Sequence, residues 1–166
     1  MKKILSIISV VVLIVFLLLV DNSKTDYIKI INDDLIDKFH IEFSGCEVEY
    51  TDIIVSSFHG DNEKFAVFNC KNNEIDFTYR SARVKEFPLS KNLEKFVYGD
   101  ESNSSINLNK YNIPIIKDGY YYFEDIEENH FVLWNDDKFL TRNSFNFTLI
   151  MYDLDNQFLY YYKIVT

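Results

Sequence analysis

The sequence predicts an α+β domain: an antiparallel sheet of five or six strands with one to three helices on one face, preceded by an N-terminal transmembrane helix. Three observations carry this. An apolar run opens the chain. A stretch soon after it repeats apolar residues at helical spacing. Several later stretches of β-branched and aromatic residues alternate between turn residues.

The opening run extends from Ile4 to Val20, broken only by Ser6 and Ser9, and follows Lys2 and Lys3. It lies at the short end of what spans a bilayer core and exceeds the usual core of a signal peptide. Lysines precede it, while Asp21 and Asp26 follow it. The positive-inside rule therefore places the N-terminus in the cytoplasm and the rest outside. Cleavage after such a run requires small residues in an A-x-A-like arrangement. The chain offers Leu18-Leu19-Val20-Asp21 instead, and its first alanine is Ala66. The expected organisation is an anchor or signal segment over 1–22 and one extracytoplasmic domain over 23–166, single-pass in the cell membrane. Cleavage would make that domain a secreted one.

Composition supports a folded domain. Apolar residues make up 48% of the chain and aromatic residues 17%, whereas disordered chains are poor in aromatics. The formal charge is −9. Without Lys2 and Lys3, 15 basic residues face 26 acidic ones, so residues 21–166 carry −11. Such a surface repels phosphate backbones, which argues against a nucleic-acid partner and leaves a basic protein or peptide open. The partners expected are thus the membrane, through the N-terminal helix, and a basic polypeptide.

Within the domain, Ile28, Ile31, Leu35 and Phe39 recur at helical spacing and predict a helix over 26–39, capped by Ser23 or Thr25. After Ser44-Gly45, residues 46–50 alternate as a half-buried strand. The apolar phase shifts near Thr51-Asp52, where a bulge is expected, and Ile53-Ile54-Val55 continues. The return strand runs from Lys64 to Cys70. Residues 74–86 fit both periods and lean to a helix capped by Asn73. Phe87-Pro88 ends that element. Ser90 then caps a short helix carrying Leu93, Phe96 and Val97, stopped by Gly99. Residues 100–112 read as a loop. Strands are expected over 119–124, 130–134, 143–153 and 157–165. The last two flank Asp153-Leu154-Asp155-Asn156, a run of turn residues. Both faces of that pair are apolar, so it should sit in the centre of the sheet or expose an aromatic strip.

Cys46 and Cys70 are the only cysteines. Outside the cytoplasm they are disulfide candidates, and the alternative is two buried thiols. Their separation is not a metal-ligand spacing, and no second close pair exists. The glycines fall at turns or element ends, so no phosphate-cradling loop, nucleotide fingerprint or G-x-S-x-G is present. No cofactor and no metal site is expected.

Phe58-His59-Gly60-Asp61-Asn62-Glu63 is where a histidine and carboxylates crowd together. His59 with Asp61 could act as a general base or weak metal site, or the segment is a hairpin turn that uses Gly60 and Asp61 for their backbone habits. His40 and His130 stand alone. Paired acids at Glu124-Asp125, Glu127-Glu128 and Asp136-Asp137 read as solvated carboxylates or a weak cation site. Tyr120-Tyr121-Tyr122 and Tyr160-Tyr161-Tyr162 place tyrosine on both sheet faces. Of these, Tyr120, Tyr121, Tyr122 and Tyr161 are candidates for an exposed binding strip.

Phe58-His59-Gly60-Asp61, Phe87-Pro88-Leu89-Ser90, Gly119-Tyr120-Tyr121-Tyr122-Phe123, Asn146-Phe147-Thr148, Tyr152-Asp153 and Leu159-Tyr160-Tyr161-Tyr162 together resemble a group of small exported or membrane-anchored proteins of low-GC bacteria. The resemblance covers 46–166 and implies a source and a compartment, with no activity attached. Asn62 stands where that pattern leads one to expect a second glycine. The functional expectation is a non-catalytic binding or accessory domain outside the cytoplasm. The alternatives are an immunity or inhibitor protein against a basic toxin or enzyme, and a hydrolase or metal-dependent enzyme centred on His59 and Asp61.

Overall fold

The computed structural model describes residues 28–40, 42–43, 45–55, 62–73, 75–77, 80–99, 107–126, 140 and 144–166. The elements in chain order are helix α1 over 28–39, then strands β1 (Glu47–Val55), β2 (Asn62–Asn69) and β3 (Lys85–Glu86). Helix α2 (Lys91–Tyr98) and a 3₁₀ turn (Asn109–Tyr111) follow, and then β4 (Gly119–Asp125), β5 (Asn146–Asp153) and β6 (Phe158–Val165). The strands form one antiparallel sheet in the order β1-β2-β6-β5-β4-β3.

The strands apolar on both sides, β5 and β6, take the middle. Period-two alternation sends Phe147, Leu149, Met151, Tyr160 and Tyr162 to one face. Ile150, Tyr152, Leu159 and Tyr161 go to the other. Each set is buried because a helix covers each face. Leu93, Phe96 and Val97 of α2 pack on the first set, and Ile31, Leu35 and Phe39 of α1 on the second. The expectation of helices on one face is therefore corrected: α1 and α2 lie on opposite faces, giving three layers. A strand pair apolar on both sides needs cover on both sides, and each large side chain so buried is worth roughly 1.5–3 kcal/mol.

Helix α2 begins where Ser90 Oγ accepts from the Leu93 N–H at 3.3 Å and ends at Gly99, whose φ of 88° lets its N–H donate to the Lys95 carbonyl at 2.9 Å. Gly119 is required for a different reason. A Cβ there would stand 2.0 Å from the Tyr152 carbonyl oxygen, so only glycine admits the close approach of β4 to β5. The hairpin between β5 and β6 is closed by Asp153. Its carboxylate accepts from the Asn156 N–H at 3.0 Å and the Asn156 side-chain amide at 2.8 Å.

Residues 75–77 and 80–84 form no helix, against the reading of 74–86. Their backbone bonds are spent elsewhere. Ser81 N–H donates to the Phe39 carbonyl at 2.8 Å, satisfying the end of α1, and Val84 N–H donates to the Ser81 carbonyl at 2.9 Å. Phe77 stacks on Tyr120 with centroids 4.3 Å apart. The segment is an irregular cover for the α1 face, and its apolar residues are used one at a time.

Among the described residues no helix is long and apolar enough to cross a membrane. The opening run, the caps at Ser23 and Thr25, and the strand expected over 130–134 lie outside the described residues.

Candidate functional site

Strand β1 lies at one end of the sheet, beyond the side chains that the two helices bury. In β1 no side chain from Glu47 to Ile54 is buried, and Val48, Tyr50 and Ile54 are large exposed apolar residues. The pairing contains a bulge between Val48 and Tyr50, a little earlier than the phase shift at Thr51-Asp52 suggests. Glu49 is the extra residue, with no partner across from it. A bulge re-aims side chains. Here it turns the consecutive residues Glu49 and Tyr50 toward the same cleft.

The bulge also accounts for the cysteines. Pairing extended straight from Tyr50 opposite Val67 would set Cys46 against Lys71. The extra residue restores Glu47 opposite Asn69 and so brings Cys46 level with Cys70. The two form a disulfide with Cα atoms 4.3 Å apart.

The cleft encloses about 400 Å³ between the β1–β2 hairpin and residues 110–114. Phe65, Val67 and Tyr160 form its floor. The opposite wall is held by three buried anchors, Leu108, Ile113 and Ile116. Leu108 N–H donates to the Phe96 carbonyl at 2.9 Å, and Ile116 N–H donates to the Tyr98 hydroxyl at 3.0 Å. Between the anchors the 3₁₀ turn ends at Asn112, whose φ of 51° is one that asparagine tolerates.

Tyr111 is the central residue. Its ring stacks on Phe65 with centroids 3.8 Å apart and planes 12° from parallel. Its hydroxyl donates toward Asp52 Oδ2 at 3.0 Å and Glu63 Oε1 at 3.3 Å. Burial, the bond to Asp52 and the neighbouring carboxylates push the phenol well above its ordinary range. Tyr111 therefore stays protonated at physiological pH and directs its single proton chiefly to Asp52, while Glu63 is held beside it by Lys110. Lys110 Nζ sits 2.7 Å from Glu63 Oε1 and 4.8 Å from the Tyr111 ring centroid. Tyr50, 48% exposed, stands over this stack at 6.1 Å from Phe65 and 6.3 Å from Tyr111. Aromatic faces, a fixed carboxylate pair and an open mouth suit binding; the arrangement holds no activated nucleophile.

The residues singled out from sequence fall elsewhere. Tyr121, Tyr122 and Tyr161 are buried at 4%, 1% and 0% exposure, and Tyr120 is half-buried under Phe77 and the Arg80 guanidinium. They do not form an exposed strip, because both sheet faces are covered. His59 and Asp61 lie outside the described residues, as do Glu127, Glu128, Asp136 and Asp137. Glu124 is ion-paired with Lys38 and Asp125 is buried, so this part of the acidic run is not a solvated patch.

Those charges belong to a latch between α1 and the sheet. Tyr161 Oη donates to Asp34 Oδ2 at 2.6 Å, and Lys163 Nζ reaches the same oxygen at 2.9 Å. Lys38 of the next helical turn pairs with Glu124 and lies 5.4 Å from the Tyr122 ring centroid. Burial alone would raise the Asp34 carboxyl, but the bonds from Tyr161 and Lys163 outweigh it and hold it below its usual range. Burial alone would lower Lys38, but the bond to Glu124 holds it above its usual range.

Sequence reasoning placed Glu63 in the acidic stretch beside His59 and missed Glu49, Tyr50, Asp52, Lys110 and Tyr111 as site residues. The available signals were the phase shift in β1 and a lone tyrosine within a polar stretch. No known protein family, curated protein or solved structure matches this chain.

Proposed function

We propose that the chain is a non-catalytic binding domain displayed outside the cytoplasm on its N-terminal apolar segment, with the cleft beside β1 as its contact surface. One observation carries the reading: a half-exposed Tyr50 stands over a stacked Phe65–Tyr111 pair next to the carboxylate of Glu49, which has no ion-pair partner among the described residues. Tyrosine supplies rigid contact area at low entropic cost, and a pocket floored by rings needs little ordering to bind.

The test is photo-crosslinking in the cells that make the protein. A photoreactive residue at position 50 is compared with one at position 154, on the β5–β6 turn. A discrete adduct from position 50 alone supports the reading, and equal labelling from both positions overturns it. The intact mass of the membrane-extracted protein tests the anchor. A mass lacking the leader overturns that part.

A second reading is favoured by the acids of β1. Neither Glu47 nor Glu49 has an ion-pair partner among the described residues. Such a surface fits an inhibitor that occludes a basic toxin or enzyme. Protection that survives Glu47→Lys with Glu49→Lys removes it.

A further inference from the structure

We infer that β1 is a strand-addition site: an extended polypeptide segment pairs with its outer edge and places a lysine or arginine side chain in the cleft. This rests on the reading of the cleft as a binding surface and names the partner's chemistry.

The backbone supplies the first half of the argument. Among the described residues, β1 ends the sheet and pairs only with β2. Alternate residues of such a strand turn their N–H and C=O groups away from the sheet, so nine residues leave about four positions able to pair again. Edge strands are commonly blunted by lysine, proline, brevity or a bulge, and the bulge at Glu49 leaves Tyr50 to Val55 in unbroken register with β2. The stretch from Glu47 to Val55 has no lysine and no proline, and it is the longest strand described. Its exposed Val48, Tyr50 and Ile54 offer apolar contact to the side chains of an added strand.

Charge supplies the second half. The only ionised side chains on β1 are Glu47, Glu49 and Asp52. A strand carrying acids of one sign disfavours an acidic partner and favours a basic one. The cleft repeats the sign. Glu49 lines it, and the one ammonium in its wall, Lys110, is already held by Glu63 while Asp52 accepts from Tyr111 behind that wall. The bulge turns Glu49 into the cleft beside Tyr50, so a cation entering there meets a carboxylate and the ring faces together. A basic side chain from an added strand satisfies both.

The experiment uses the full chain in lipid nanodiscs and fluorescence anisotropy. The probe is a short acetylated peptide alternating lysine and valine. Its companions are the same sequence N-methylated at alternate residues, and a glutamate–valine peptide. The proposal expects the first to bind, the N-methylated form to bind about tenfold more weakly or worse, and the glutamate peptide not to bind. Glu49→Lys, on an exposed edge where folding is not at stake, should weaken the lysine–valine peptide about tenfold.

Equal binding of the N-methylated peptide overturns strand addition while leaving the cleft reading intact. No binding of the lysine–valine peptide overturns the basic-peptide assignment, and the crosslink from position 50 then decides the cleft reading separately. A crosslink from position 50 onto a second copy of the chain would also overturn the proposal.

Discussion

Replacing both cysteines, Cys46→Ala with Cys70→Ala, should cost about 3.5 kcal/mol of stability. The magnitude follows from the loop the disulfide closes. The cysteines are 24 residues apart, and cross-linking a loop of that length removes roughly 12 cal/mol/K of chain entropy from the unfolded state. At 25 °C that is about 3.5 kcal/mol. Residual hairpin structure in the unfolded chain would lower the figure, and the lost packing of the fully buried Cys70 would raise it. The effect should matter most at β1. That strand has no buried side chain from Glu47 to Ile54, so it is held by its hydrogen bonds to β2, the disulfide, the Tyr111–Asp52 bond and the ring contacts of Tyr50. Thermal unfolding in mild detergent, followed by near-ultraviolet circular dichroism of the aromatic rings, should show the midpoint falling by about 7–14 °C. Hydrogen exchange should show the amides of β1 losing protection before those of β5. Coincident melting curves for the two proteins would refute the reasoning. They would mean that backbone pairing alone fixes β1 and that the disulfide is incidental.

Two further predictions concern the buried charges and phenols. Asp34→Ala leaves Tyr161 and Lys163 without their shared acceptor and should cost about 2 kcal/mol, whereas Asp33→Ala on the exposed side of α1 should change stability by about 0.5 kcal/mol or less. The Asp34 carboxyl is held below its ordinary value of 3.8, so its contribution is complete above that value and is lost as the pH falls below it. Acid unfolding should begin at a higher pH in Asp34→Asn than in the wild type, and identical acid titrations would count against the latch. Burial pushes Tyr160 up to about 12 and also raises Tyr98, Tyr122, Tyr152, Tyr161 and Tyr162 above their ordinary 10.0. Phenols kept protonated in the fold contribute stability that is complete below pH 10 and lost as the pH rises above it. Tyrosinate absorbance should therefore appear cooperatively with unfolding above pH 10, and a smooth titration of every tyrosine near pH 10 in a folded protein would contradict the burial.

The elements legible in the sequence are those whose signals are local. The β5–β6 hairpin combines unbroken alternation with Asp153 as a turn-closing side chain, and α2 carries both a start signal, Ser90, and a stop signal, Gly99. Residues 74–86 fit two periods, and the deciding interactions are tertiary: the Ser81 bond to the end of α1 and the Phe77 stack on Tyr120. The cleft was illegible for the same reason. Tyr111 reaches Asp52 across 59 residues of chain and Glu63 across 48, and no spacing rule links a residue in a polar stretch to an edge strand. The tyrosine triplets misled because alternation reveals which residues share a face and not whether that face is covered.

The distribution of acids decides how the −9 charge is to be understood. Carboxylates that join α1 to the sheet or close its central hairpin are committed. Asp34 is held by Tyr161 and Lys163, Glu124 by Lys38, and Asp153 by Asn156. Removing any of these would disturb packing, so they are poorly placed to meet a partner. Glu47 and Glu49 face no such constraint, on a strand whose fold is carried by its backbone and one disulfide. Apart from Asp52, which accepts from Tyr111, the acids of this edge strand have no ion-pair partner among the described residues to offset their mutual repulsion. What the pattern does achieve is selectivity. Two copies of Glu47–Val55 laid edge to edge would bring six carboxylates together with no cation between them, while a basic strand would meet its opposite at each position. The same residues that keep β1 from pairing with itself thus define the partner it can accept.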